Sequence, residues 1–128
     1  MFVPPICQGR IIWINVPGKG GKAKRRPVVI TTSDAEITAE TELAGIVCSH
    51  TSANVEPRPA DYVEIPHHPA GRCRTKLRKP TVAVCRWPVK LKKEEIAGLA
   101  ADDFGGVVNP NLLEKVIKTT AALQGPAK

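Results

Sequence analysis

Apolar and β-branched residues fill Gly9 to Val16 (Gly-Arg-Ile-Ile-Trp-Ile-Asn-Val) and return at Pro27-Val28-Val29-Ile30, with Pro17, Gly18, Gly20 and Gly21 between the two runs. Ile, Val and Trp favour a pleated, half-buried surface, and the Pro/Gly cluster ends the first run and lets the chain reverse, so the pattern predicts a hairpin. The polar stretch Thr31 to Thr41 reads as a loop with room for a helical turn. Leu43 to Cys48 predicts a strand running into Ser49-His50-Thr51-Ser52, and Pro57 and Pro59 mark a turn before a short strand at Tyr62 to Ile65 that Pro66 stops. Thr81 to Trp87 is apolar on both alternating faces apart from Arg86, the pattern of a central strand covered on both sides. Beyond Pro88 the chain is expected to turn helical, first around Lys92 to Ala101 and then from Asn109, a good N-cap followed by Pro110 at the first helical position. Leu112, Leu113, Val116, Ile117 and Thr120 would line one face of that last helix, with Gly125 as its stop.

Strands crowd the first two-thirds and helices close the end, which excludes the alternating order of a doubly wound sheet. The expected fold is mainly β with C-terminal helices: a small barrel or curled antiparallel sheet with helices packed on its outside. The length of 128 residues suits one domain over the whole chain, 1–128. No internal repeat is visible. The loop Gly18-Lys19-Gly20-Gly21-Lys22-Ala23 satisfies GxGxxA, yet a strand follows where a dinucleotide fold needs a helix, and Ala23 stands where a Walker loop needs Ser or Thr.

The net charge of +7 becomes informative through its distribution. Asp34 to Glu64 carries seven acidic residues against Arg58 alone, whereas His67 to Lys93 holds Arg72, Arg74, Lys76, Arg78, Lys79, Arg86, Lys90, Lys92 and Lys93 with no acid among them. Lys19, Lys22, Lys24, Arg25 and Arg26 add to the positive field at the mouth of the hairpin. Desolvated, unpaired cations are too costly to serve as core, so a polyanion is the expected partner, a plain solvated face being the alternative that charge alone leaves open. Alternation of Arg72, Arg74, Lys76 and Arg78 on a strand would give a ribbon of phosphate contacts. Cys7, Cys48, Cys73 and Cys85 are scattered without a CxxC pair, and His67 and His68 stand among loop-forming prolines, so no metal or other cofactor is expected and the thiols read as reduced and mostly buried. Residues 1–6 lack the features of a signal peptide and no run approaches the length of a membrane span, so the expectation is a cytoplasmic protein without a membrane partner.

A strand with an apolar-Trp-apolar core, a Gly/Lys loop, Arg-Pro-Val-Val-Ile, a strand ending in His50-Thr51-Ser52, and Thr75-Lys76-Leu77 leading into Thr81 to Trp87 together resemble the PemK/MazF family of toxin endoribonucleases, over roughly residues 9–123. Ile65-Pro66-His67-His68-Pro69-Ala70-Gly71 is similar to a loop of one branch of that family. The resemblance implies an SH3-like barrel, a homodimer, metal-free cleavage of single-stranded RNA, and a cognate antitoxin protein that blocks it. It also implies Arg26 as the catalytic arginine and Thr51 as the catalytic threonine. Lys24, Arg25, His50, Ser52, Arg74, Lys76, Arg78 and Arg86 are the candidates for binding substrate, and His50 can supply a base near neutral pH. The chain departs from better-known members at Val84 and Arg86, near which those carry an arginine and an acidic residue, so the groups that move the protons stay unassigned. The competing reading is a non-catalytic barrel that holds RNA or DNA by phosphate contacts or works through a protein partner.

Overall fold

In the computed structural model, which describes residues 6–17, 23–39, 42–50, 62–66, 68, 70, 75–78 and 81–123, the expected hairpin forms. Strand β1 (Arg10–Pro17) pairs antiparallel with β2 (Ala23–Ile30) from Ile11↔Val29 to Pro17↔Ala23. Strict alternation divides their side chains between two faces. Ile11 and Val29 enter one buried cluster, while Ile12, Ile14, Val16, Val28 and Ile30 enter another.

The remaining strands extend this hairpin on both sides. They are β3 (Glu42–His50), β4 (Tyr62–Ile65), β5 (Thr81–Lys92) and β6 (Phe104–Val107), and the sheet order is β4-β5-β3-β2-β1-β6. Every pairing is antiparallel. The result is the expected mainly-β class, a curled antiparallel sheet carrying a C-terminal helix. Close approach of β3 to β2 requires Gly45, because a Cβ there would stand 2.6 Å from Val28 Cγ1 and 3.2 Å from the Val29 carbonyl oxygen.

Short helices complete the chain. In α1 (Asp34–Ala39) Ser33 caps the first turn, its Oγ accepting from Glu36 N–H at 3.4 Å and donating to Glu36 Oε1 at 3.0 Å, inside the stretch expected to be a loop with room for a helical turn. The expected helix around Lys92 to Ala101 shrinks to α2 (Lys93–Ala97), because β5 runs on through Pro88 to Lys92. Pro88 stands opposite Ile46 of β3, beyond the stretch Thr81–Val84 over which β4 pairs with the other edge of β5, so it interrupts no β4 pairing. Over its apolar start, Thr81–Val84, β5 lies between β4 and β3 and is buried, as its pattern predicts.

Helix α3 (Pro110–Leu123) starts as expected: Asn109 Oδ1 accepts from Asn111 N–H at 2.8 Å, and Pro110 occupies the first turn. It lays Leu113 and Val116 on the face formed by Val63, Ile65, Ala83 and Cys85, with Leu112 and Ile117 half-buried beside them. Gly125 lies outside the described residues. Cys48 and Cys85 are buried in the same cluster, where loss of solvent and the neighbouring Cys85 thiol push the Cys48 pKa up to about 12. Cys7 is half-buried, and Cys73 lies outside the described residues.

The basic ribbon expected from Arg72 to Arg78 is not a strand over its described part. Residues 75–78 form a tight loop in which Lys76 takes φ +61°. Its backbone groups bond elsewhere than in a ladder: Leu77 O accepts from His68 N–H at 2.8 Å, and Thr75 O accepts from Gly106 N–H at 2.9 Å. The Thr75 hydroxyl donates to Pro66 O at 2.6 Å. Buried Thr75 and Leu77 thereby anchor the loop, and Lys76 and Arg78 both stand exposed without the alternation of a strand.

Candidate active site

Two consecutive arginines of β2 end up in opposite circumstances. Because neighbouring residues of a strand project to opposite faces, Arg25 shares a face with Trp13 of β1, and Arg26 shares the other with Ile14, its partner in the register. Arg25 Cζ lies 5.0 Å from the centroid of the Trp13 ring. Its Nη2 donates to Asp103 Oδ1 at 2.8 Å and its Nε to the same oxygen at 3.3 Å. Asp103 Oδ2 in turn accepts from Ala100 N–H at 3.0 Å. The Arg25 guanidinium and that backbone donor hold the Asp103 carboxyl below the usual carboxylate range. Arg25 has therefore spent much of its charge and hydrogen bonding inside the protein.

Arg26 has not. Its Cζ lies 5.1 Å from the centroid of the Trp87 ring, and its Nε is buried without a hydrogen-bond partner among the described residues. A desolvated donor left unmade costs about 1–3 kcal/mol, which makes Arg26 a cation waiting for an acceptor. The aromatic stack keeps the group in place without neutralising it.

The ring reaches Arg26 through an irregularity of β5. Ile46 pairs with Pro88 and Cys48 with Ala83, so the single residue Val47 of β3 stands opposite the four residues 84–87 of β5. In a regular strand Cys85 and Trp87 would share a face. The bulge shifts the phase, and Cys85 enters the cluster under α3 while Trp87 joins the cluster on the Arg26 side.

Among the other expected site residues, Lys24 lies opposite Val16 in β2 and His50 ends β3 opposite Thr81, both placed by their backbone alone. Since β2 and β3 are antiparallel and pair over Val28–Ile30, the end of β3 that leads to Thr51 is at the same end of the sheet as Arg26. Thr51, Ser52 and Arg74 lie outside the described residues. Arg86 is within the bulge, again by its backbone, and Val84 is buried opposite Tyr62. Trp13 and Trp87 are half-buried platforms for the two arginines. No sequence signal marked the contact of Arg25 with Trp13 and Asp103 or that of Arg26 with Trp87. Among the described residues no three His, Cys, Asp or Glu side chains gather to hold a metal ion, and no helix is long and apolar enough to cross a membrane.

A curled six-stranded antiparallel sheet with a C-terminal helix is a fold shared with known proteins. Residues 7–122 match the family described as PemK-like, MazF-like toxin of type II toxin-antitoxin system, and the chain belongs to that family. Solved structures share the fold at low sequence identity. A MazE-MazF structure from Deinococcus radiodurans is 16% identical with a TM-score of 0.65, covering 99% of this chain and 100% of its own. An endoribonuclease from Mycobacterial species is 15% identical with a TM-score of 0.60, covering 100% and 99%. An endoribonuclease in complex with its cognate antitoxin, also from Mycobacterial species, is 18% identical with a TM-score of 0.56, covering 97% and 100%. No curated protein matches the sequence.

Proposed function

We propose that this chain is a toxin-type endoribonuclease that cleaves single-stranded RNA without a metal ion, acting as a cytoplasmic homodimer that a cognate antitoxin silences. The observation that carries the reading is the Arg26 guanidinium, fixed over Trp87 with a buried donor unused, in a family of toxins. Metal-free cleavage uses the ribose 2′-OH: its oxygen bonds to phosphorus as its proton goes to a base, and the bond to the 5′-oxygen breaks as that oxygen gains a proton. The products are a 2′,3′-cyclic phosphate and a 5′-OH. Extra negative charge on the phosphate oxygens of the transition state is the quantity to stabilise, and a planar guanidinium donating two hydrogen bonds does this well. Thr51, one residue past β3, positions the phosphate or the 2′-OH with Ser52 beside it. His50 is the candidate base, and Lys24, Arg74, Lys76, Arg78 and Arg86 hold flanking phosphates. Arg25, already paired with Asp103, contributes least of the basic group. The antitoxin partner is carried over from relatives whose structures hold one.

The test is end-labelled single-stranded RNA incubated in EDTA with the wild type, Arg26→Ala and Arg26→Lys. Cleavage by the wild type, lost by about 10²-fold or more in folded Arg26→Ala and poorly restored by Lys, supports the reading. Full activity of Arg26→Ala would remove Arg26 from catalysis. RNA that stays intact but migrates more slowly would identify a binding protein instead.

A further inference from the structure

Two ways of fixing an arginine stand side by side on β2, and they leave different parts of the guanidinium available. A carboxylate engages the edge, where the N–H donors lie, as Asp103 does with Arg25 Nε and Nη2. An aromatic ring engages the face and leaves the edge donors unspent. Arg26 is fixed in the second way: Cζ sits 5.1 Å from the Trp87 centroid, and Nε is buried and unpartnered among the described residues. Trp87 reaches that face only because four residues, 84–87, stand opposite Val47. Bulges that re-aim one side chain are over-represented beside active sites.

We infer that Trp87 is the positioning residue of Arg26: its ring fixes the plane of the guanidinium so that the terminal N–H donors, which are not among its buried atoms, meet the oxygens of an RNA phosphodiester. This rests on the reading of Arg26 as the group that contacts phosphate. The ring itself touches no reacting atom.

Three variants test this. With only two tryptophans in the chain, Trp13→Phe makes Trp87 the sole indole emitter. In that protein, binding of a 2′-deoxy oligonucleotide, which lacks the nucleophile and cannot be cut, should change Trp87 emission. The change should vanish in Trp13→Phe/Arg26→Ala, with binding followed separately by anisotropy of a labelled oligonucleotide. In cleavage assays Trp87→Leu should lower kcat by about tenfold with KM little altered, since an unfixed guanidinium is misplaced in the transition state rather than absent from the ground state. Trp87→Phe, which keeps a ring face, should recover most of the loss. Folded Trp87→Leu with wild-type kcat, or Phe no better than Leu, would overturn the positioning role, as would bound oligonucleotide that leaves Trp87 emission unchanged. If Trp87→Leu fails to fold, the emission arm decides alone. Failure of the endoribonuclease reading looks different: no variant cuts RNA, while the emission response and its dependence on Arg26 persist for a binding protein. An oligonucleotide that does not bind, together with RNA left uncut by the wild type, overturns both.

Discussion

Asp103 Oδ1 meets Arg25 Nη2 at 2.8 Å, tying the turn before β6 to the second strand of the hairpin. The Asp103 carboxyl is held below its usual range, first by Arg25 and then by Ala100 N–H, so its pKa is lower folded than unfolded. Its contribution to stability is then fully present above the unfolded value near pH 4 and is lost as pH falls through the lowered folded value. Wild type and Asp103→Asn should differ at pH 7 by less than about 1 kcal/mol, since Arg25 is half-exposed and the pair is screened. The difference should close in acid. Urea melts across the acid range read this directly, and an offset that persists at the lowest pH would be incompatible with it.

Arg26 predicts the opposite balance between stability and function. Arg26→Met keeps the apolar stem against Trp87 while removing the unpaired Nε, relieving a cost of about 1–3 kcal/mol against a stacking loss of about 0.5–1 kcal/mol. The variant should melt no lower than the wild type. Arg25→Met should melt lower, because it strands the Asp103 carboxylate. A clearly destabilised Arg26→Met would mean that the guanidinium is structural.

Gly45→Ala places a Cβ 2.6 Å from Val28 Cγ1, closer than atoms can approach without a shift of the strands. Overpacking of this kind costs about 1–3 kcal/mol. Val28→Ala removes the obstructing methyl, so the double variant should be less destabilised than the sum of the singles. Additive losses would place the strain at the Val29 carbonyl oxygen, 3.2 Å away.

Lys76 and Arg78 stand exposed on a loop anchored by Thr75 and Leu77, so replacing both with Gln should leave the melting temperature nearly unchanged. Binding of single-stranded RNA should weaken across unrelated sequences. Each lost phosphate contact flattens the slope of log affinity against log salt by about 0.7, hence by about 1.4 for the pair. Wild-type slope and affinity would show that this loop faces away from the nucleic acid.

The elements legible in the sequence were those whose pattern is local. The hairpin, the strand from Leu43, the Tyr62–Ile65 strand and the Asn109-capped helix each carry their own alternation, punctuation or cap. What escaped depends on distant partners. In β6, Phe-Gly-Gly-Val has poor strand propensity, yet Gly105 lets the strand approach Ile11 so closely that a Cβ would stand 3.3 Å from it. The loop at 75–78 looked like a strand because its charges alternate, but a positive φ at Lys76 and hydrogen bonds to His68 and Gly106 override that pattern. Arg26 was legible through its setting before Pro27, whereas its platform was not, because hydrophobicity alone assigns Trp87 to the core and says nothing about which core.

The extra residues in β5 therefore encode the Arg26 platform by number as well as by kind. Removing one residue from 84–86 would rotate the following stretch by half a strand period and carry Trp87 to the α3 side of the sheet, although both the tryptophan and the arginine would still be in the chain. In diverging relatives of this protein, an insertion or deletion opposite Val47 should accordingly lower activity as a substitution of Trp87 does, and its length, odd or even, should foretell the outcome.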